Sequence, residues 1–305
     1  MIDKRLAVRL LGALLLAASL VYLGIFAARH AAALPDIRWD ARTGLALAGA
    51  VAVYGLTLLS SSMAWYLLLR SAGEKTKPGD AASVFLLSQV GKYLPGNIGQ
   101  YVGRVALAKG RGLATGPVLV TLALEASCAV GAGLALTAAA YPLSLADRLG
   151  PGRLLAVLLI GILAIVLGAR FKASDRLRIR AGLACLGLYS FNFLAFGGCA
   201  WLLASGALEA GTAPLPTLAA IFAAAWVAGF VTPGAPAGFG VREAVLVGGL
   251  RTLYDPGIAL SLPLLFRLVT TLGDGLGFGA GALIRKLQKP QEPEEPQESN
   301  DTPHA

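Results

Sequence analysis

The sequence predicts an all-α polytopic membrane protein: about six spanning helices plus two re-entrant helical hairpins, in two inverted-topology repeats. Three observations carry this reading. The 305 residues are 56% hydrophobic and only 14% charged, against roughly 25% charged in soluble domains. Such a surplus of apolar surface suits a chain whose outer solvent is lipid. Second, apolar runs of spanning length alternate with basic segments. Third, two shorter apolar regions are broken by Pro-Gly at matching places in the two halves.

The first run is about Leu6–Ala28. Lys4, Arg5 and Arg9 precede its uninterrupted stretch Leu10–Ala28, as in a signal peptide. Its length exceeds the ~7–15 residues of such a core, so it reads as a retained span. The second run, Thr43–Leu69, has no charge; the third, about Leu113–Ala140, carries Glu125. The fourth, Leu154–Ala169, is short and closed by basic residues. The fifth, Ala181–Leu208, is uncharged, and the sixth, about Gly257–Ile284, holds Arg267 and Asp274. These runs exceed or approach the ~18 apolar residues that a bilayer crossing requires.

Two regions depart from that pattern. Ala81–Gly110 is interrupted at Pro95-Gly96-Asn97, and Leu215–Leu250 at Pro233-Gly234-Ala235-Pro236. Pro-Gly ends a helix, and each flanking piece is too short to span. Both therefore read as hairpins, a half-helix in, a turn and a half-helix out. Amphipathic surface helices joined by loops are the alternative. Irregular backbone survives at membrane depth only inside protein or beside a water-filled cavity. Broken apolar segments in corresponding positions point to the binding site of a transporter.

An offset of 138 residues lays Pro95-Gly96 on Pro233-Gly234, Tyr101 on Phe239, Arg104 on Arg242 and Ala106 on Ala244. The same offset lays the second span over the fifth. The chain thus reads as span, span, hairpin, span, stated twice: residues 1–287 form a transmembrane domain, with repeat one at about 5–141 and repeat two at about 150–285. Residues 288–305 are rich in Pro and Glu and read as a disordered cytoplasmic tail.

Charge sets the expected orientation. The formal net charge is +9, and the pI is about 9.7. Arg70, Lys75, Lys77, Lys92, Arg104, Lys109 and Arg111 cluster around the first hairpin. Arg170, Lys172, Arg176, Arg178 and Arg180 precede the fifth span, and Arg285, Lys286 and Lys289 follow the sixth. The opposite loops are poorer in Lys and Arg. By the positive-inside rule both termini are cytoplasmic in a bacterial-type inner membrane. Three crossings per half then invert the second half. The basic balance follows from membrane topology, and no nucleic-acid partner is expected.

Arg104 and Arg242 lead the candidate lipid-headgroup contacts. Each follows its hairpin proline by nine residues, ~13 Å along a helix at ~1.5 Å per residue, which would set one arginine near each headgroup layer. Guanidinium binds phosphate in a bidentate fork and stays charged. The hairpin turns also aim free helix N-termini at the centre, favouring an anion there. The competing reading is an arginine that snorkels and anchors its hairpin. Lys92, Asn97 and Gln100 are the polar face of the first hairpin; they line a cavity or satisfy broken backbone. Glu125 and Arg267 are deep charges that require partners, each other or the hairpins. Glu243 tempers Arg242 or ties it to a neighbour. Gly273, Gly277 and Gly281 form a small-residue stripe for close helix packing.

No Ser-His-Asp set, zinc spacing or Walker loop is found, so no catalytic residue, metal or cofactor is expected. Cys128, Cys185 and Cys199 lie in apolar runs and read as small buried residues.

At these residues the chain resembles a known family. Gly91-Lys92-Tyr93-Leu94-Pro95-Gly96-Asn97-Ile98-Gly99-Gln100-Tyr101-Val102-Gly103-Arg104 is similar to the first signature of the lysylphosphatidylglycerol synthase transmembrane-region family, also described as flippase-like. Pro233-Gly234 through Gly240-Val241-Arg242-Glu243 is similar to its second. The resemblance covers about residues 5–287 and implies an inner-membrane protein that moves or handles lipids. The cytosolic aminoacyltransferase domain of the family's best-known member is not seen, so synthesis of lysylphosphatidylglycerol is not expected. Gly99-Gln100 stands where many relatives have Gly-Glu, which removes one acid and bears on headgroup preference.

The leading expectation is a lipid translocase, flippase or scramblase-like, acting on a phospholipid or lipid-linked headgroup that bears phosphate. The alternatives are an accessory membrane subunit for a lipid-modifying enzyme or glycosyltransferase, and a membrane-embedded transferase.

Overall fold

The computed structural model describes residues 37–94, 98–140, 175–232, 238 and 240–288, with Val21, Ile25 and Ala28 as isolated helical positions. The predicted first and fourth spans, the turn residues Pro95, Gly96, Asn97, Pro233 and Gly234, and the tail from Lys289 lie outside the described residues.

Helix α1, Ala41–Ser71, starts where the Asp40 side chain accepts the Thr43 amide at 2.9 Å. That bond holds the exposed Asp40 carboxylate below its ordinary range, as hydrogen bonding to the charged form does. Helix α2, Pro78–Ser88, begins on a proline, which suits a first helical turn. A tight 3₁₀ turn, Gln89–Tyr93, leads to the break, and α3, Gly99–Lys109, leaves it. Helix α4 is Thr115–Ala140, and α5 is Asp175–Leu202, prolonged by a π-helical turn at Leu203–Ala207. Helix α6, Leu215–Val231, and α7, Val241–Leu250, flank the second break. Helix α8, Pro256–Leu287, is the last among the described residues.

Four of these helices are long and apolar enough to cross a membrane: Ala41–Ser71, Thr115–Ala140, Arg178–Ala207 and Pro256–Leu287. At ~1.5 Å per residue each exceeds the ~30 Å hydrocarbon core. They coincide with the second, third, fifth and sixth predicted spans. Both Pro-Gly regions are pairs of shorter helices around a break, with α2 against α3 and α6 against α7.

The packing is reciprocal. Helix α1 lies along α5. The first arm of each broken pair packs on the last long helix of the other half: α2 on α8, and α6 on α4. Between helices in lipid, close backbone approach replaces the hydrophobic effect as the driving term, so small residues sit at the crossings. A Cβ at Gly273 would strike the Tyr54 ring, one at Gly277 would lie 2.9 Å from a Leu58 methyl, and one at Gly281 2.9 Å from Leu86 Cβ. The glycine stripe is therefore the seam by which α8 receives α1 and α2. The three cysteines are free, with Cys185 and Cys199 buried.

The neck of the first hairpin is a backbone-to-backbone contact. A Cβ on Gly91 would sit 2.6 Å from the carbonyl carbon of Gly99. No side chain can turn away to relieve that overlap. Gly91→Ala is expected to cost about 1–3 kcal/mol, the usual penalty of overpacking. A lowered melting temperature in detergent, with Gly103→Ala (3.9 Å from its nearest neighbour) unchanged, is the measurement.

Candidate functional site

The two broken helix pairs and the long helices α1, α4, α5 and α8 line a cavity of about 140 Å³. Its floor and walls mix charge with aromatic rings. Lys92, Gln100 and Arg104 reach it from the first pair, Arg242 and Glu243 from the second, Glu125 from α4 and Arg267 from α8. The side chains of Arg104 and Arg242 thus converge on one cavity. An arginine side chain is long, and helical Cα–Cβ bonds tilt toward the N-terminus. Both side chains can therefore reach back toward the helix breaks.

Three ion pairs organise the site. Arg104 Nη1 meets Glu125 Oε2 at 2.5 Å, joining α3 to α4. This pair is nearly sealed, with Arg104 2% and Glu125 4% exposed. The Arg104 guanidinium lies over the Phe85 ring at 4.2 Å and the Trp65 ring at 5.2 Å, and Tyr189 donates its hydroxyl to Glu125 Oε1 at 2.6 Å. Arg267 Nη2 meets Glu243 Oε1 at 3.0 Å, joining α8 to α7. The other Glu243 oxygen accepts the Gly240 amide at 2.7 Å, capping α7. Glu125 and Arg267 therefore do not pair with each other. Each pairs with the broken helix that precedes it.

The third pair is the most heavily bonded. Lys92 Nζ meets Asp274 Oδ2 at 2.6 Å, joining the first hairpin to α8. Tyr54 donates to Asp274 Oδ1 at 2.8 Å, and Tyr93 donates to Oδ2 at 2.6 Å. Lys92 also reaches the Tyr54 hydroxyl at 3.1 Å. Asp274 itself is buried behind Lys92.

Arg242 is different. Among the described residues no carboxylate lies within ion-pairing distance of it, and its Nε is buried with no hydrogen-bond partner. Its stem lies in a slot made by two glycines. A Cβ at Gly229 would fall 2.5 Å from Arg242 Cγ, and one at Gly238 2.8 Å from Arg242 Nε. Gly238 also has φ +73°, a backbone that favours glycine. The Trp226 ring faces the guanidinium at 5.8 Å, and Trp226 stacks on Phe230 at 5.0 Å.

Of the residues singled out in the sequence, Lys92, Gln100, Arg104, Glu125, Arg242, Glu243 and Arg267 line this one cavity; Asn97, Pro95, Gly96, Pro233 and Gly234 lie outside the described residues. Sequence reasoning missed Asp274 as a site residue. The signal was present, because Arg267 and Asp274 are seven apart on one helix and so share a face. It also missed the slot glycines and the tyrosines. A tyrosine hydroxyl's partner has no sequence pattern, since it is set by the crossing of distant helices.

In chemical terms the site is a cluster of charged groups among aromatic and apolar side chains within an apolar bundle. It has fixed cations, satisfied carboxylates and an aromatic wall. No curated protein matches the chain. The profile described as Lysylphosphatidylglycerol synthase TM region matches residues 9–276. That match spans most of the chain and takes in both broken helix pairs and the cavity, so the protein belongs to the lysylphosphatidylglycerol synthase TM region family.

Proposed function

We propose that the protein is a lipid translocase, flippase or scramblase-like, that passes a phosphate-bearing headgroup across the inner membrane. The observation that carries this reading is the cavity of charged and aromatic side chains at the meeting point of both broken helix pairs. A headgroup crossing hydrocarbon needs such a chamber, because buried polar groups are costly unless partnered. The reciprocal packing, α2 on α8 and α6 on α4, supports two inverted repeats with re-entrant hairpins. In that arrangement the acyl chains stay in lipid while the headgroup moves through the protein. Both termini lie in the cytoplasm in this reading, following the Lys and Arg distribution.

The test is reconstitution into liposomes carrying a labelled phospholipid, with leaflet exchange followed by quenching of outer-leaflet label. Exchange faster than in protein-free vesicles is the expected result. Equal rates with and without protein, across several headgroups, would overturn the reading.

A further inference from the structure

The end of α8 meets the start of α2 at a closely fitted junction. A Cβ on Gly79 would strike the Gln288 side-chain amide and lie 3.7 Å from an Ile284 methyl. Gln288 Oε1 accepts from Arg111 Nη1 at 3.4 Å, and Arg111 also pairs with Asp80. Partial burial, and then the nearby charge of Arg285, push the Arg111 guanidinium below its ordinary range. The start of α2 and the ends of α3 and α8 therefore share one face of the bundle.

This face is rich in cations. Lys75 and Lys77 lead into α2, Lys109 ends α3, and Arg285 and Lys286 lie in the last turn of α8; all five are exposed. Among the described residues none of the five is in an ion pair. Asp80 is taken by Arg111, which leaves Glu74 as the one other acid between residues 70 and 111.

The sequence that follows Gln288 carries the opposite charge. Glu292, Glu294, Glu295, Glu298 and Asp301 stand there with Lys289 as the one Lys or Arg. Pro290, Pro293 and Pro296 recur at every third residue, the period of a polyproline II helix. In that form Glu292, Glu295 and Glu298 share one edge, ~9 Å apart at ~3.1 Å per residue. Glu292 is four residues beyond Gln288, ~12 Å of such chain, so it stays near the cations. A short tether raises the local concentration of these acids to the mM range, where individually weak exposed pairs act together. An anionic leaflet repels a segment of this charge, and the basic face attracts it.

We infer that this face is the docking site of residues 289–301 of the same chain, with Glu292, Glu295 and Glu298 set against Lys77, Lys109, Arg285 and Lys286. The docked segment bridges α8 to both arms of the first broken pair, a clasp across the elements that carry Lys92 and Arg104. The inference stands apart from the translocase reading.

The test is carbodiimide cross-linking of the full chain in phosphatidylcholine nanodiscs, with the linked peptides read by mass spectrometry. Glu292, Glu295 or Glu298 joined to Lys77 or Lys109 within one molecule is the expected product. Its yield should fall about threefold or more between about 0.1 M and about 1 M salt, as the screening length drops from ~10 Å to ~3 Å. Arg285→Gln with Lys286→Gln removes two cations and neither target lysine, and should lower the yield to a similar degree. Both side chains are exposed, so the double variant is expected to fold, with its melting profile as the check. Arg251→Gln, exposed at the end of α7, should link as the parent does. Links confined to Lys286 and Lys289, or a yield indifferent to salt and to the double variant, would overturn the inference. So would links that vanish when phosphatidylglycerol is added to the nanodiscs, because the cations would then serve the lipid surface.

Discussion

Asp274→Ala is expected to destabilise the protein by about 3 kcal/mol or more. The estimate follows from what it strands. Lys92 would lose its carboxylate partner at 2.6 Å, and the Tyr54 and Tyr93 hydroxyls would lose their acceptor. Removing one partner of a buried pair costs about 3–5 kcal/mol, and an unpaired charge at a bilayer centre costs ~2.5–3.5 kcal/mol on insertion scales. Neutral hydrogen bonds between membrane helices are worth less, about 0.6 kcal/mol on average, so the orphaned lysine dominates. The cluster ties α1, the first hairpin and α8 together, so its loss should loosen all three. Thermal melting in detergent reads the effect. Lys92→Met combined with Asp274→Leu removes both charges and should recover much of the stability. Failure to recover would mean that the tyrosine bonds, rather than the ion pair, hold these helices.

Glu125→Ala is expected to have an effect of similar size by a different route. It leaves Arg104, 2% exposed, with Ser88 Oγ at 3.4 Å and two aromatic faces. Cation–π contacts contribute about 0.5–2 kcal/mol, which does not offset an uncompensated buried charge. Tyr189 also loses its acceptor at 2.6 Å. Glu125→Gln keeps an oxygen for both donors and should cost less than Ala. Arg104→Met with Glu125→Leu should approach the parent's stability, because apolar replacement of a buried pair is often neutral or better. A melting series over these variants separates charge orphaning from lost packing.

Much of this was legible in the sequence, and the reasons are physical. Four long helices match four apolar runs because lipid enforces apolarity along a whole span; Thr43–Leu69 within Ala41–Ser71 is the clearest case. The two broken pairs were legible because Pro and Gly act on the local backbone, and Pro95-Gly96 and Pro233-Gly234 mark both breaks in the sequence. The need for partners at Glu125 and Arg267 was also legible, since a deep charge is costly alone. Their identities were not. Arg104 and Glu243 are both on broken helices, and choosing between them and a direct Glu125–Arg267 bond requires the angle between helices. Asp274 was overlooked because one acid in a glycine-rich helix gives no sign of the tyrosines from α1 and the first hairpin that surround it. The difference between Arg104 and Arg242 was invisible for the same reason. Both hold the same place in the repeated pattern, yet among the described residues only Arg104 meets a carboxylate on a neighbouring helix.

The central claim is that the cavity itself is the path of the headgroup. Ala225 lines it and is buried against its wall. Ala225→Leu would fill part of its ~140 Å³ without touching an ion pair, at an overpacking cost of about 1–3 kcal/mol. The direct measurement is leaflet exchange in liposomes by the folded variant, beside the parent protein and empty vesicles. Exchange falling to the rate of empty vesicles is the predicted result. Exchange at the parent's rate with the cavity filled would contradict the claim and move the path elsewhere.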